Sequence, residues 1–200
     1  MRHRLLLLMI LALLTPRIRA RAQSSFSLRL VGQIGGPTTC VAVRGSYAYV
    51  GVGLRLEVLS ISNPAQMRQV GATTPFPHFV EGVALDPARP YAYVAAGGAG
   101  LRVVDVSNPT NPVEVGAWDS PGYAEGVAVS GTTAYLADGP YGLRIVDVGN
   151  PAQPHEVGAA YEMSYALDVA VAGRYAYIAA AGAGLLIADV ADPAHPVGVG

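Results

Sequence analysis

Lysine is absent from the 200 residues, and cysteine and tryptophan occur once each. All 13 cations are therefore arginine, and five of them (Arg2, Arg4, Arg17, Arg19 and Arg21) stand in the first 22 residues, where no acid occurs. The remainder sets eight arginines against 14 acids. A mildly acidic chain without clustered cations cannot release counterions from a phosphate backbone, which excludes nucleic acid as a partner. With Cys40 alone, no intramolecular disulfide can form, and stability must come from burial. A lone small residue opening an apolar strand reads as packing rather than as a nucleophile. No Asn-x-Ser/Thr acceptor exists, because Pro109 blocks Asn108-Pro109-Thr110. His78, His155 and His195 fall in different loop types without paired-histidine spacing, so neither zinc nor another metal or cofactor is expected. Beyond the first residues no long run keeps helical apolar spacing without glycine or proline, which excludes helices from the mature chain.

The N-terminus reads as an export signal. Arg2 and Arg4 precede an unbroken apolar run from Leu5 to Leu14, and Ala20-Arg21-Ala22 supplies a small-x-small cleavage site. Such a run is shorter than the ~20 residues a membrane-spanning helix needs. Residues 1–22 are thus expected to be a signal peptide cleaved near Ala22. The mature chain, without a transmembrane span, would be extracytoplasmic: secreted, periplasmic or at the cell surface.

What the sequence does contain is a repeat. Val-Gly pairs recur at Val31, Val70, Val115, Val157 and Val199, with spacings of 39, 45, 42 and 42. Tyr49, Tyr93, Tyr135 and Tyr177 keep nearly the same beat, as do Asn63-Pro64, Asn108-Pro109, Asn150-Pro151 and Asp192-Pro193. Measured from the Val-Gly pairs, the units run about 31–69, 70–114, 115–156 and 157–198, with a further start at 199–200, all within a domain of 23–200. Departures from the period localise to turns. Unit one is three residues short between Tyr49 and Leu54, and unit two is two residues long around Asp86 to Pro90. Loops tolerate such changes and strands do not.

Each unit holds four short apolar or alternating runs. In the third they are Gly126–Val129, Ala134–Ala137, Leu143–Val148 and Glu156–Gly158, separated by Ser130-Gly131, by Asp138–Gly142 and by the Gly149–Pro154 stretch. These predict four antiparallel strands. Four strands in ~42 residues match a propeller blade, whereas leucine-rich repeats are shorter and helical repeats keep a 3.6-residue period. The fold expected is an all-β propeller of four-stranded antiparallel blades, with four blades' worth present; a β-sandwich or solenoid is the alternative.

The segments Leu101-Arg102-Val103-Val104-Asp105-Val106-Ser107-Asn108-Pro109, Leu143-Arg144-Ile145-Val146-Asp147-Val148-Gly149-Asn150-Pro151 and Leu185-Leu186-Ile187-Ala188-Asp189-Val190-Ala191-Asp192-Pro193 resemble the LVIVD repeat, a bacterial and archaeal surface-protein module. The likeness spans Val31 to Gly200. It implies a β-propeller exposed outside the cell and no particular enzymatic activity. Unit one departs from the pattern, with Ser60 where the others carry aspartate.

Leu28 to Gln33 looks like a fourth strand without its first three, and the chain stops at Val197–Gly200 as another fourth strand begins. Either the N-terminal strand completes the last blade of a four-bladed ring, or the chain is an arc of a longer propeller and the ring is incomplete. An uncapped edge strand favours the arc.

No catalytic set stands out. Asp105, Asp147 and Asp189 recur once per blade, three residues before the Asn/Asp-Pro turn, where a carboxylate fixes a turn; repeated at that spacing they stand too far apart to share a cation. Glu81 and Glu125 occupy equivalent places leading into the first strand, which in propellers lines the central channel. Thr39 and Leu167 hold that place in units one and four, with Asp168 one residue later and expected on the opposite side. Together with Asp138 these acids are expected to form an acidic patch at the channel mouth. Tyr123, Tyr141, Tyr161 and Tyr165, with Trp118 and Phe76, lie in or beside variable loops and form the candidate recognition surface. The function that follows is a non-catalytic interaction scaffold binding a protein or a surface polymer. The alternative is an extracytoplasmic enzyme acting on a glycan or small molecule at the channel mouth through Glu81, Glu125 or Asp168.

Overall fold

Strands that alternate alanine with larger apolar residues, joined by glycine- and Asn-Pro-rich turns, fold as hairpins whose two faces differ in size. A computed structural model describes residues 30–33, 37–160 and 165–200. The expected signal peptide, Leu28 and Arg29 of the N-terminal strand, and Tyr161 lie outside the described residues. The first blade comprises β1 (Val41–Arg44), β2 (Tyr47–Val52), β3 (Arg55–Ser60) and β4 (Arg68–Ala72), and the second β5 (Gly82–Leu85), β6 (Tyr91–Ala95), β7 (Leu101–Asp105) and β8 (Val113–Trp118). The third comprises β9 (Gly126–Ser130), β10 (Thr133–Ala137), β11 (Leu143–Asp147) and β12 (His155–Ala160), and the fourth β13 (Ala166–Ala172), β14 (Tyr175–Ala180), β15 (Gly184–Asp189) and β16 (Val197–Gly198). Each set forms one antiparallel sheet in sequence order, so the chain is an all-β array of propeller blades. A 3-10 turn at Pro64–Gln66, capped by the Asn63 side chain, is the one helical element among the described residues. First strands of successive blades neighbour one another in the order β1, β5, β9, β13.

The core lies between blades. On the second strand of each, the alternation of period two sends alanine and its companion to one face and tyrosine to the other. Ala92 and Val94 of β6 join Tyr49, Leu56 and Val58 of the first blade in one cluster. Tyr93 and Ala95 face forward and meet Ala134 and Leu136 of the third blade. Tyr135 and Ala137 then meet Ala176 and Ile178 of the fourth. A large face thus packs on a small one at every junction.

A second contact repeats at the outer strands. Val70, Val115 and Val157 are each the extra residue of a β-bulge, since the ladder passes from Gly71 to Gln69, from Gly116 to Glu114 and from Gly158 to Glu156 opposite consecutive partners. The glycine beside each bulge abuts the Asx-Pro turn of the following blade. A Cβ at Gly71, Gly116 or Gly158 would run into the carbonyl oxygen of Pro109, Pro151 or Pro193. Gly32 meets the Pro64 carbonyl in the same way. The turns are held for this contact by their own side chains: Asn108, Asn150 and Asp192 accept the amides of Thr110, Ala152 and Ala194.

Residues 30–33 are paired in no sheet, and the outer edge of β15 carries β16, continued by Val199 donating to the Ile187 carbonyl. The strand exchange that would close a four-bladed ring is therefore not made among the described residues.

The two-residue insertion of the second blade is a clamp. Asp86 accepts the amides of Ala88 and Arg89 at 2.9 and 2.8 Å, the Arg89 Nε at 2.7 Å and the Tyr93 hydroxyl at 3.3 Å. Arg89 continues to the Val148 carbonyl of the third blade at 3.1 Å, while Arg44 of the first donates to the Asp86 and Arg89 carbonyls. Three blades are thus tied at one point. Burial of Asp86 would raise its pKa, but the two amides and the Arg89 guanidinium outweigh burial and hold it below the usual carboxylate value of 3.8.

Two outcomes follow. Gly116→Ala should lower stability by about 1–3 kcal/mol, whereas Gly198→Ala, with open space around its Cβ position, should change it by less than about 0.5 kcal/mol; urea unfolding compares them. Because the folded pKa of Asp86 is depressed, its contribution is complete above the unfolded value near 3.8 and is lost as pH falls through the lower folded value. Asp86→Asn should be less stable than the parent by about 1.5–3 kcal/mol at pH 7, and melting curves of the two should converge as acid protonates Asp86.

Candidate functional site

The segments entering β9 and β13 are pinned to the preceding blade. Gly97 and Ala124 exchange amide bonds at 3.1 and 3.0 Å, as do Gly139 and Ala166 at 3.2 and 2.8 Å. Gly97 and Gly139 sit at φ +46° and +54°, the left-handed region that glycine enters without strain. The amides of Glu81 and Glu125 donate to the Ala95 and Ala137 carbonyls, both at 2.8 Å. Their carboxylates are therefore carried on fixed backbone.

Glu81, Glu125 and Asp168 come together along one polar recess of about 440 Å³, with Thr39, Cys40 and Leu167 also on its wall. The expectation that Asp168 points away from Leu167 is corrected: the register shift between Ala166 and Asp168 turns both onto the recess, and the Asp168 carboxylate lies over Gly126. Its Oδ1 accepts the Val169 amide at 2.9 Å.

The tyrosines close on these acids. Tyr123 donates its hydroxyl to Glu81 Oε1 at 2.7 Å, and Tyr165 to Glu125 Oε1 at 2.9 Å. Each bond joins the carboxylate of one blade to the phenol entering the next. Burial first, then the Glu81 carboxylate, pushes Tyr123 up to about 12, and the bond to Glu125 raises Tyr165, so both phenols remain donors at neutral pH. The first junction substitutes both partners. Phe79 stands where the others have tyrosine and Thr39 where they have glutamate, and Thr39 Oγ1 donates instead to the Val80 carbonyl at 2.5 Å. Comparing residues one unit apart would have revealed this pairing, because the phenol disappears with its acceptor.

Asp138 does not belong to the mouth. It is fully buried, accepting the Ser120 hydroxyl at 2.6 Å and the Gly122 amide at 3.0 Å, and it brackets the loop from β8 to β9. Burial raises its pKa, and the two hydrogen bonds and Arg144 offset this in part. Tyr141 is also elsewhere, its ring 5.5 Å from the guanidinium of Arg144. Phe76, expected at the recognition surface, is core: its amide donates to the Leu54 carbonyl above the shortened β2–β3 turn, and its ring packs with Leu56, Val58 and Ala99. Trp118 is half-buried against the cluster between the second and third blades.

Asp105, Asp147 and Asp189 each accept the amide two residues on, at 2.8, 2.7 and 3.0 Å. In the first blade Ser60 and Ser62 pair instead, at 3.2 Å. Burial raises the Cys40 thiol away from the reactive thiolate form. Among the described residues no group of three or more His, Cys, Asp or Glu is placed to hold a metal ion, and no helix is long and apolar enough to cross a membrane. Two of the three carboxylates of the recess, Glu81 and Glu125, are thus already held by neighbouring phenols.

Comparison with solved structures identifies computationally designed proteins of similar fold. The chain superposes on the designed Ika4 protein with a TM-score of 0.61 at 13% identity, covering 81% of this chain and 98% of that one. The designed Ika8 protein gives a TM-score of 0.60 at 10% identity, over 76% of this chain but 46% of that one, so the chain spans about half its length. At these identities the likeness concerns the fold alone. No curated protein matches the sequence. The sequence profile of the LVIVD repeat matches residues 35–74, 90–120, 121–161 and 164–200, and the chain belongs to the LVIVD repeat family.

Proposed function

We propose that this chain is an extracytoplasmic, non-catalytic interaction scaffold that binds a protein or a surface polymer at the channel mouth and its flanking loops. The observation that carries this reading is the set of bonds from Tyr123 to Glu81 and from Tyr165 to Glu125. Groups held in this way make a rigid, pre-organised surface, which reduces the ordering cost of association. They are poorly arranged for proton transfer, because each carboxylate already accepts a phenol whose pKa is raised. The tyrosines beside the recess, with Tyr165 39% exposed, present contact area with few rotatable bonds. Family membership, the apolar run Leu5–Leu14 and the Ala20-Arg21-Ala22 site support placement outside the cytoplasm.

Biolayer interferometry against purified surface polysaccharides and extracytoplasmic proteins tests the reading. At least one ligand should bind the parent chain, be weakened about tenfold or more in the triple variant E81Q/E125Q/D168N, and be recovered chemically unchanged. Turnover of any of these ligands, abolished by a single substitution, would overturn it.

A further inference from the structure

The third strands of the second and third blades carry a buried arginine at the same register, Arg102 opposite Val94 and Arg144 opposite Leu136. Their side chains are 10% and 5% exposed. In the third blade Arg144 is covered on three sides. Glu156 lies at 3.1 Å, Asp138 at 3.6 Å, and the Tyr141 ring lies over the guanidinium with its centroid 5.5 Å away. In the fourth blade both the arginine and the ring are gone, replaced by Leu186 and Ala183 at the equivalent positions.

The second blade keeps the arginine and loses the ring. Ala99 stands where the third blade has Tyr141, and Gly98 where it has Pro140. A recess of about 240 Å³ is left there, lined by Pro77, His78, Gly98, Ala99, Arg102 and Asp119. Arg102 Nε, on one of the lining residues, is buried without a hydrogen-bond partner among the described residues, while His78 turns its Nδ1 toward Gly97 and Tyr123 and its Cδ2 edge toward Gly98. The charge of Arg102 is already met by Glu114 and Asp119. An anion is therefore a poor occupant, and an uncharged ring able to hydrogen bond is a better one. The volume is below the roughly 300 Å³ at which sites for whole small ligands begin, and suits a single side chain.

We propose that this recess receives a tyrosine side chain of a protein partner, which takes the place over Arg102 that Tyr141 takes over Arg144. The inference rests on the binding-scaffold reading and adds which anchor the scaffold accepts. Pro77 and the His78 ring form walls for the ring, and the guanidinium forms its floor.

N-acetyl-L-tyrosinamide is the probe, titrated into the full chain and followed by amide shifts in ¹H–¹⁵N spectra. Saturable shifts should centre on Gly98, Ala99 and Arg102. Ala99→Tyr gives the second blade the residue of the third and, where the spectrum stays folded, should weaken the probe about tenfold or more. Tyr141→Ala should open a second site, with new shifts around Pro140 and Gly142. No saturable shift at Gly98–Arg102 in the parent, or unchanged affinity in Ala99→Tyr, overturns the proposal. If Ala99→Tyr disturbs the fold, failure of Tyr141→Ala to gain a site overturns it equally. The variant E81Q/E125Q/D168N leaves this recess intact, so loss of ligand at the mouth and loss of the probe here are separate results.

Discussion

An isolated four-stranded blade leaves two apolar faces in water, and burial of one blade against the next is what every other feature depends on. Alternation along the second strand makes those faces unequal, with Tyr49, Tyr93 and Tyr135 forward and Ala92, Ala134 and Ala176 backward. Tyrosine meeting alanine brings sheets close without a void, and Tyr93, fully buried, gains on the order of 1.5–3 kcal/mol from leaving water. The bulge at each Val-Gly then turns the outer strand so that its glycine accepts the neighbour's turn.

Polar groups occupy the two edges of this apolar stack. On one, Asp86, Arg89 and Arg44 join three blades through carbonyls and a carboxylate. On the other, phenols reach back to carboxylates one unit earlier. Both sets bridge blades, the first by arginines donating to backbone carbonyls and the second by phenols donating to carboxylates, so the junctions are oriented by hydrogen bonds while their stability comes from apolar area. The buried arginines Arg102 and Arg144 serve within blades, tying the third strand to the fourth through Glu114 and Glu156.

The blade and its repetition were legible because they rest on local chemistry: two-residue alternation, Asx-Pro turns and a constant period. The repeat family was readable from the Leu-x-x-x-Asp-Val segments for the same reason. Bringing Glu81 and Glu125 to one recess was legible as well, since equivalent positions in successive blades face the same axis. What escaped was directional. Asp138 sits one residue beyond a strand, where a backbone path decides between solvent and interior, and the capping of Ser120 and Gly122 drew it inward. Phe76 followed the shortened turn at Leu54 into the core, and a one-residue bulge reversed the expected sense of Asp168. Arg102 and Arg144 were passed over because an arginine within an apolar strand looks like an edge residue until its acids are placed.

The contact of glycine with the next blade's proline carbonyl involves one residue of each unit and nothing farther away. Gain or loss of a whole unit in the gene would leave every remaining contact of this kind intact, because the new neighbour brings the same turn. A single-base change that gives one of these glycines a side chain strains the junction it sits in. The coding sequence is therefore freer to change in blade number than in the identity of a few glycines, and descendants of such a chain are expected to differ by whole units before they differ at Gly71, Gly116 or Gly158.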